Sequence, residues 1–134
     1  MSEFTITNAD IPPESMGDKF CRLDINMVVN GQKVNLEVQV EDEHDYPERS
    51  LYYWARGYSS SLKKSGEYAS LPRVIIISIV DFQMFDCAEY HSEFRPLEVV
   101  RHELLSDRMA MHYFEVRKLP KHVDIKKNHY LHSG

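Results

Sequence analysis

The sequence predicts an α/β domain: a mixed sheet with an N-terminal β-hairpin, a crossover helix and further strands. Three observations lead there. Polar and apolar residues alternate with period 2 on both sides of Asn30-Gly31. A helix-periodic segment follows Asp45. A run rich in isoleucine and valine, Arg73 to Val80, then suits a central strand with both faces covered.

Taken in order, Met1 to Gly17 reads as an irregular lead-in, because Pro12-Pro13 blocks regular pairing. Lys19 to Val29 and Gln32 to Val40 read as two strands. Asn30-Gly31 is a two-residue hairpin signal, since a type I′ turn needs positive φ at both positions. Asp45-Tyr-Pro-Glu48 has the form of a capping box with proline in the first turn. The helix is expected to run to about Lys64 and to end at Ser65-Gly66. Strand, helix, strand implies a right-handed crossover with parallel flanking strands. Leu97 to Leu104 and Arg108 to Val116 suggest a second hairpin turning at Ser106-Asp107. Residues 1–120 are thus expected to form one domain, with 121–134 a polar, poorly ordered tail.

Composition narrows the class. A chain of 134 residues carries one modest core. Its longest apolar run, Val74 to Val80, is far short of the ~20 residues of a membrane span. The N-terminus has no basic start and no apolar signal segment, so a cytoplasmic protein is expected. Cys21 and Cys87 are too few for a disulfide framework and are expected as reduced, buried thiols. The formal charge of −5 argues against coating nucleic acid through bulk charge, but allows a local basic groove. Glu41, Asp42, Glu43 and Asp45 form an acidic cluster, and Lys118, Lys121, Lys126 and Lys127 make the tail basic.

With Asn30-Gly31 as the loop, Met27 opposes Val34, Ile25 opposes Leu36 and Leu23 opposes Val38, an apolar set. Asn26 opposes Asn35, Asp24 opposes Glu37 and Arg22 opposes Gln39, a polar set. A one-residue slip would mix the faces. Asp24 and Glu37 therefore become cross-strand neighbours, and like charges there are destabilising unless compensated. Arg22, diagonal to Glu37, is one compensator. A divalent cation is the other, because hard cations take carboxylate oxygens, waters and substrate phosphate. A wet hairpin face with two solvated carboxylates is the plain alternative.

On the helix, Leu51, Trp54, Ala55, Tyr58 and Leu62 fall on one side, as a core stripe would. Arg49, Tyr52, Tyr53, Arg56, Ser60 and Lys63 fall opposite. Guanidinium groups suit bidentate phosphate binding, and tyrosines can stack or donate. This is the best candidate for a DNA contact; an exposed helix face with tucked aromatics is the alternative.

Arg22-Leu-Asp-Ile25, Asn35-Leu-Glu-Val-Gln39, Pro47-Glu-Arg-Ser-Leu-Tyr-Tyr53 with Arg56, and Tyr90-His-Ser-Glu-Phe-Arg95 resemble the PD-(D/E)XK nuclease-family transposases, the recombination-promoting nucleases. The likeness runs from about Ile11 to Pro120, and the chain lacks the helical segment with which such proteins usually begin. The resemblance implies a restriction-endonuclease-like mixed sheet and Mg²⁺- (or Mn²⁺-) dependent DNA cleavage. It makes Asp24 and Glu37 the metal-binding acids. Gln39 stands where many relatives carry lysine. Glutamine cannot act as a cation or a base, so it is expected to orient water or metal. Arg49, Tyr52, Tyr53 and Arg56 would then hold DNA.

Other chemistries find little support. No histidine pair has ligand spacing, and there is no G-x-S-x-G, P-loop or G-x-G-x-x-G. Two functional readings stand: a metal-dependent DNA endonuclease, or a catalytically inactive nuclease-derived remnant acting as a dimerising or DNA-binding module. An exposed apolar sheet face would favour a homo-oligomer.

Overall fold

The computed structural model describes residues 4–10, 22–62 and 66–120. The expectations for Pro12-Pro13, Cys21, Lys63 and the tail from residue 121 lie outside the described residues.

Among the described residues, six strands form one mixed sheet with one α-helix packed on it. They are β1 (Phe4–Asp10), β2 (Arg22–Val29), β3 (Gln32–Gln39), α1 (Tyr46–Ser59), β4 (Val74–Val80), β5 (His91–Phe94) and β6 (Met109–Glu115). The sheet order is β1-β2-β3-β4-β6-β5. The hairpin forms in the expected register, Leu23 opposite Val38 and Asp24 opposite Glu37. Asn30 and Gly31 both have positive φ, 51° and 77°. After the α1 crossover, β4 pairs parallel to β3, and β6 pairs parallel to β4.

Four expectations about element bounds, caps and pairing are corrected. Phe4–Asp10 lies within the predicted irregular lead-in, yet it forms an edge strand antiparallel to β2, with Asp10 opposite Asp24. An edge strand needs only one partner, here β2, and the Phe-Thr-Ile-Thr alternation has the period of a strand. The capping box does not close, because Asp45 makes no side-chain cap bond; Pro47 does sit in the first turn. The helix stops at Ser59, short of Lys64. The Ser59 hydroxyl donates to the Arg56 carbonyl, and those of Ser60 and Ser61 donate to Gly57, so side chains compete for the last backbone acceptors. Finally, the strand that hairpins with β6 is His91–Phe94. Leu97 and Leu104 make only an isolated bridge at the neck of a loop. In that loop Glu98 accepts the Val100 N–H, and Val99 and Val100 stand exposed, as does Leu105 just past the neck.

The helix sits on the sheet with a different face from the one expected. Trp54 and Tyr58 do pack on the core, but Leu51 (51% exposed), Ala55 and Leu62 face outward. Tyr46 and Ser50 are the buried residues of α1. A Cβ added at Gly57 would come within 3.3 Å of Val74 Cγ1. Small residues let the backbone come close to the sheet, and they define the contact ridge.

The core lies under α1 and the loop after β4: Tyr46, Val74, Ile76, Val80, Phe82, Met111 and Tyr113. Tyr46 meets Phe82 and Tyr113 edge-on, at ring centroid distances of 6.0 and 6.4 Å. The buried Glu115 carboxylate accepts the Met84 N–H and pairs with Lys118, both at 2.8 Å, which ties that loop to the end of β6. On the opposite face, Ile25, Met27, Leu36, Ile75 and Ile77 are only half-buried and line an apolar hollow of about 580 Å³. Cys87, expected buried, is exposed.

Candidate functional site

The hairpin's polar row faces the helix. Through the ladder, Glu37 aligns with Ser78 and Tyr113, and Gln39 with Val80 and Glu115. Strand parity therefore places Asn35, Glu37 and Gln39 on the face that carries the core. They are 7%, 0% and 3% exposed. The wet-face reading is thus overturned for β3. Burying a carboxylate and two amides costs free energy unless each is bonded, and the local bonds show how this is met.

Asp24 Oδ1 accepts a hydrogen bond from the Asn35 amide at 2.6 Å, and the same nitrogen donates to Asn26 Oδ1 at 2.9 Å. Glu37 Oε1 lies 3.6 Å from Arg49 Nη1. Arg49 also donates to Gln39 Oε1 at 2.7 Å and pairs with Glu43 at 3.2 Å. Its guanidinium sits 5.9 Å from the Tyr46 ring centroid. The Gln39 amide is used on both sides, since its nitrogen donates to the Glu41 carbonyl at 2.8 Å. Burial holds the Tyr113 phenol above its ordinary value of 10.0, against a hydrogen bond with Ser50, and the nearby Glu37 charge adds to the rise. The hydroxyl therefore remains protonated beside the buried acid at neutral pH. Ser78 Oγ, also in the Glu37 row, is buried with no hydrogen-bond partner among the described residues.

The residues expected to contact DNA separate. Arg49 leaves that group: its side chain is 16% exposed and belongs to the acid site. Helix phase explains this, because positions 46, 49, 50 and 53 share the flank that turns toward β3. Tyr52 is exposed, away from the acids. Tyr53 and Arg56 line a cleft of about 620 Å³ between the hairpin and α1, which Asp24, Asn26 and Asn35 also line. Lys33 spans one end of it, donating to Gly57 O at 3.0 Å and Ser60 Oγ at 3.2 Å. Arg22, the other compensator considered for Glu37, holds the expected backbone register opposite Gln39.

Asn26 and Asn35 were legible as a facing polar pair in the hairpin. Ser78, Ser50 and Tyr113 were not, because nothing local announces which parallel strand or helix will cover the row.

Residues 1–133 match the PD-(D/E)XK nuclease family transposases, and the chain belongs to that family. No curated protein and no solved structure matches it. The mixed sheet with its N-terminal hairpin and crossover helix is consistent with the restriction-endonuclease-like fold. PD-(D/E)XK nucleases generally use divalent metals. Asp24 and Glu37 stand in cross-strand register and carry hard oxygen donors, the donor type that divalent ions of the Mg²⁺ class take. Among the described residues no group of three His, Cys, Asp or Glu side chains could form an all-protein cage. No helix among them is long and apolar enough to cross a membrane.

Proposed function

We propose that the chain is a metal-dependent DNA endonuclease that hydrolyses phosphodiester bonds in the cytoplasm. The observation that carries this reading is the placement of Glu37, fully buried on the helix-covered face and in register with Asp24. A fold gains nothing in stability from two adjacent acids in such a position. Asp24 and Glu37 would hold Mg²⁺ or Mn²⁺, which when bound supplies Lewis acidity at the phosphate and lowers the pKa of water. Asn35 orients the Asp24 carboxylate. Arg49 balances the charge of Glu37 and is a positioning residue for it. Gln39, committed on both sides of its amide, holds Arg49 in place; we assign it this task in preference to orienting water. Tyr53 and Arg56 would contact the DNA strand, Arg56 through phosphate, giving salt-sensitive binding with little sequence preference.

Nicking of supercoiled plasmid with Mg²⁺ or Mn²⁺ tests this. Asp24→Ala and Glu37→Gln should each abolish it. Nicking that survives both substitutions refutes the assignment.

The second reading, an inactive module that dimerises or binds DNA, is favoured by one observation. Both acids are already engaged by protein groups, Asp24 by Asn35 and Glu37 by Arg49. Titration calorimetry with Mn²⁺ that shows no binding would select this reading.

A further inference from the structure

We propose that the cleft between the hairpin and α1 takes a single unpaired strand, so that the substrate class is single-stranded or locally opened DNA rather than intact duplex. This rests on the nuclease reading above.

The cleft is bracketed at both ends. Lys33 fastens the end of the helix to β3 through Gly57 O and Ser60 Oγ. Arg49 fastens its start to β3 through Gln39 and Glu37. These contacts tie both ends of α1 to β3 and oppose widening of the opening. The volume of about 620 Å³ falls in the range of pockets that enclose one small ligand, about one or two nucleotides.

Depth adds to width. Asp24 and Asn35 line the cleft, while Glu37, two residues further along β3, is 0% exposed. A phosphate that reaches Asp24 must enter between strand and helix. In a duplex the backbone follows a paired partner strand around a rod whose major groove alone is about 12 Å wide. A strand freed from its partner has no such constraint.

The lining suits this occupant. Arg56 is exposed and makes no ion pair among the described residues. Tyr53, partly buried against the core, also lines the cleft. Asn35 Oδ1 is buried and receives no hydrogen bond among the described residues, and the Asn26 side chain also lines the cleft. A cation that tracks the backbone, with an aromatic platform and amides nearby, is the combination used for unpaired strands.

The test is fluorescence anisotropy of the full chain in EDTA, comparing a labelled 12-nucleotide mixed-sequence strand with its own duplex. The expected result is binding of the strand about tenfold tighter or more. Arg56→Gln and Tyr53→Ala should each weaken strand binding about tenfold, the size of one lost stacking or charge contact. Arg56 is exposed, so its variant answers even if Tyr53→Ala disturbs packing. Lys33→Met, which releases one clasp, should move the strand-to-duplex affinity ratio toward one. Duplex binding as tight as strand binding, or strand binding indifferent to Arg56→Gln, overturns the proposal. The two readings fail separately, because EDTA removes the chemistry. Duplex preference in a chain that nicks plasmid sinks this inference alone. Strand preference in a chain that, with Mn²⁺, cuts neither the plasmid nor the labelled strand removes the nuclease reading alone.

Discussion

Replacing Arg49 by methionine should destabilise the protein through one charge, Glu37. The two groups are 3.6 Å apart, with side chains 16% and 1% exposed. At an effective dielectric near 20, that separation corresponds to a gross attraction of about 4–5 kcal/mol. Breaking a buried pair by removing one partner typically costs about 3–5 kcal/mol, because the other charge stays buried. Gln39 Oε1 also loses its donor, a loss that belongs within the same range. With an m-value near 2 kcal/mol/M, the urea midpoint of Arg49→Met should fall by roughly 1.5–2.5 M. The informative variant is the double one. Arg49→Met combined with Glu37→Gln removes both charges, so its loss should fall short of the sum of the single losses by about 2–3 kcal/mol. Urea unfolding followed by circular dichroism on the four proteins closes the cycle. Losses that add to within about 0.5 kcal/mol would refute the claim that Arg49 acts through Glu37.

Two further outcomes follow from the rest of the molecule. Burial pushes the His112 imidazole below its ordinary value of 6.5, with Glu93 opposing and His91, Arg95 and Arg73 adding to the depression. The unfolded chain then takes up a proton that the folded state resists, so stability should fall as pH drops below about 6.5 and level off beneath the folded value. The urea midpoint, compared at pH 7.5 and 5.5, should decline less in His112→Phe; an equal decline rules His112 out as the source. Cys87 is exposed. A thiol reagent such as Ellman's should therefore modify it in the native protein, and Cys87→Ser should remove that reaction; an unchanged native reaction would place the accessible thiol elsewhere.

Legibility followed the range of the interaction. The hairpin, its turn and the Asp24–Glu37 register could be read from the chain, because positive φ at Asn30-Gly31 and the period of 2 are local properties. The parallel pairing of β3 and β4 across α1 was readable for a related reason, since a strand–helix–strand connection brings its flanking strands parallel. The partner of β6 was not. His91–Phe94 and Leu97–Leu104 are similar short runs upstream of the same strand, and only pairing in space distinguishes them. The helix face failed for an instructive reason. Periodicity sends the largest apolar stripe inward, but α1 lies partly over a polar site. The contact goes instead to Tyr46, Ser50 and Gly57, with Arg49 and Tyr53 on its flank.

By itself, the sequence determined that an aspartate and a glutamate stand opposite each other across a tight turn, because backbone geometry carries that information over a few residues. Only the tertiary structure decided that this polar row lies beneath a helix, while the apolar row opposite is left half-covered. That choice depends on which face α1 docks against, and docking is settled by close approach of Gly57 to Val74, by the Lys33 clasp and by the Arg49 pair. Each of the three joins the helix to a strand, and no turn signal or periodicity in the sequence announces such a contact.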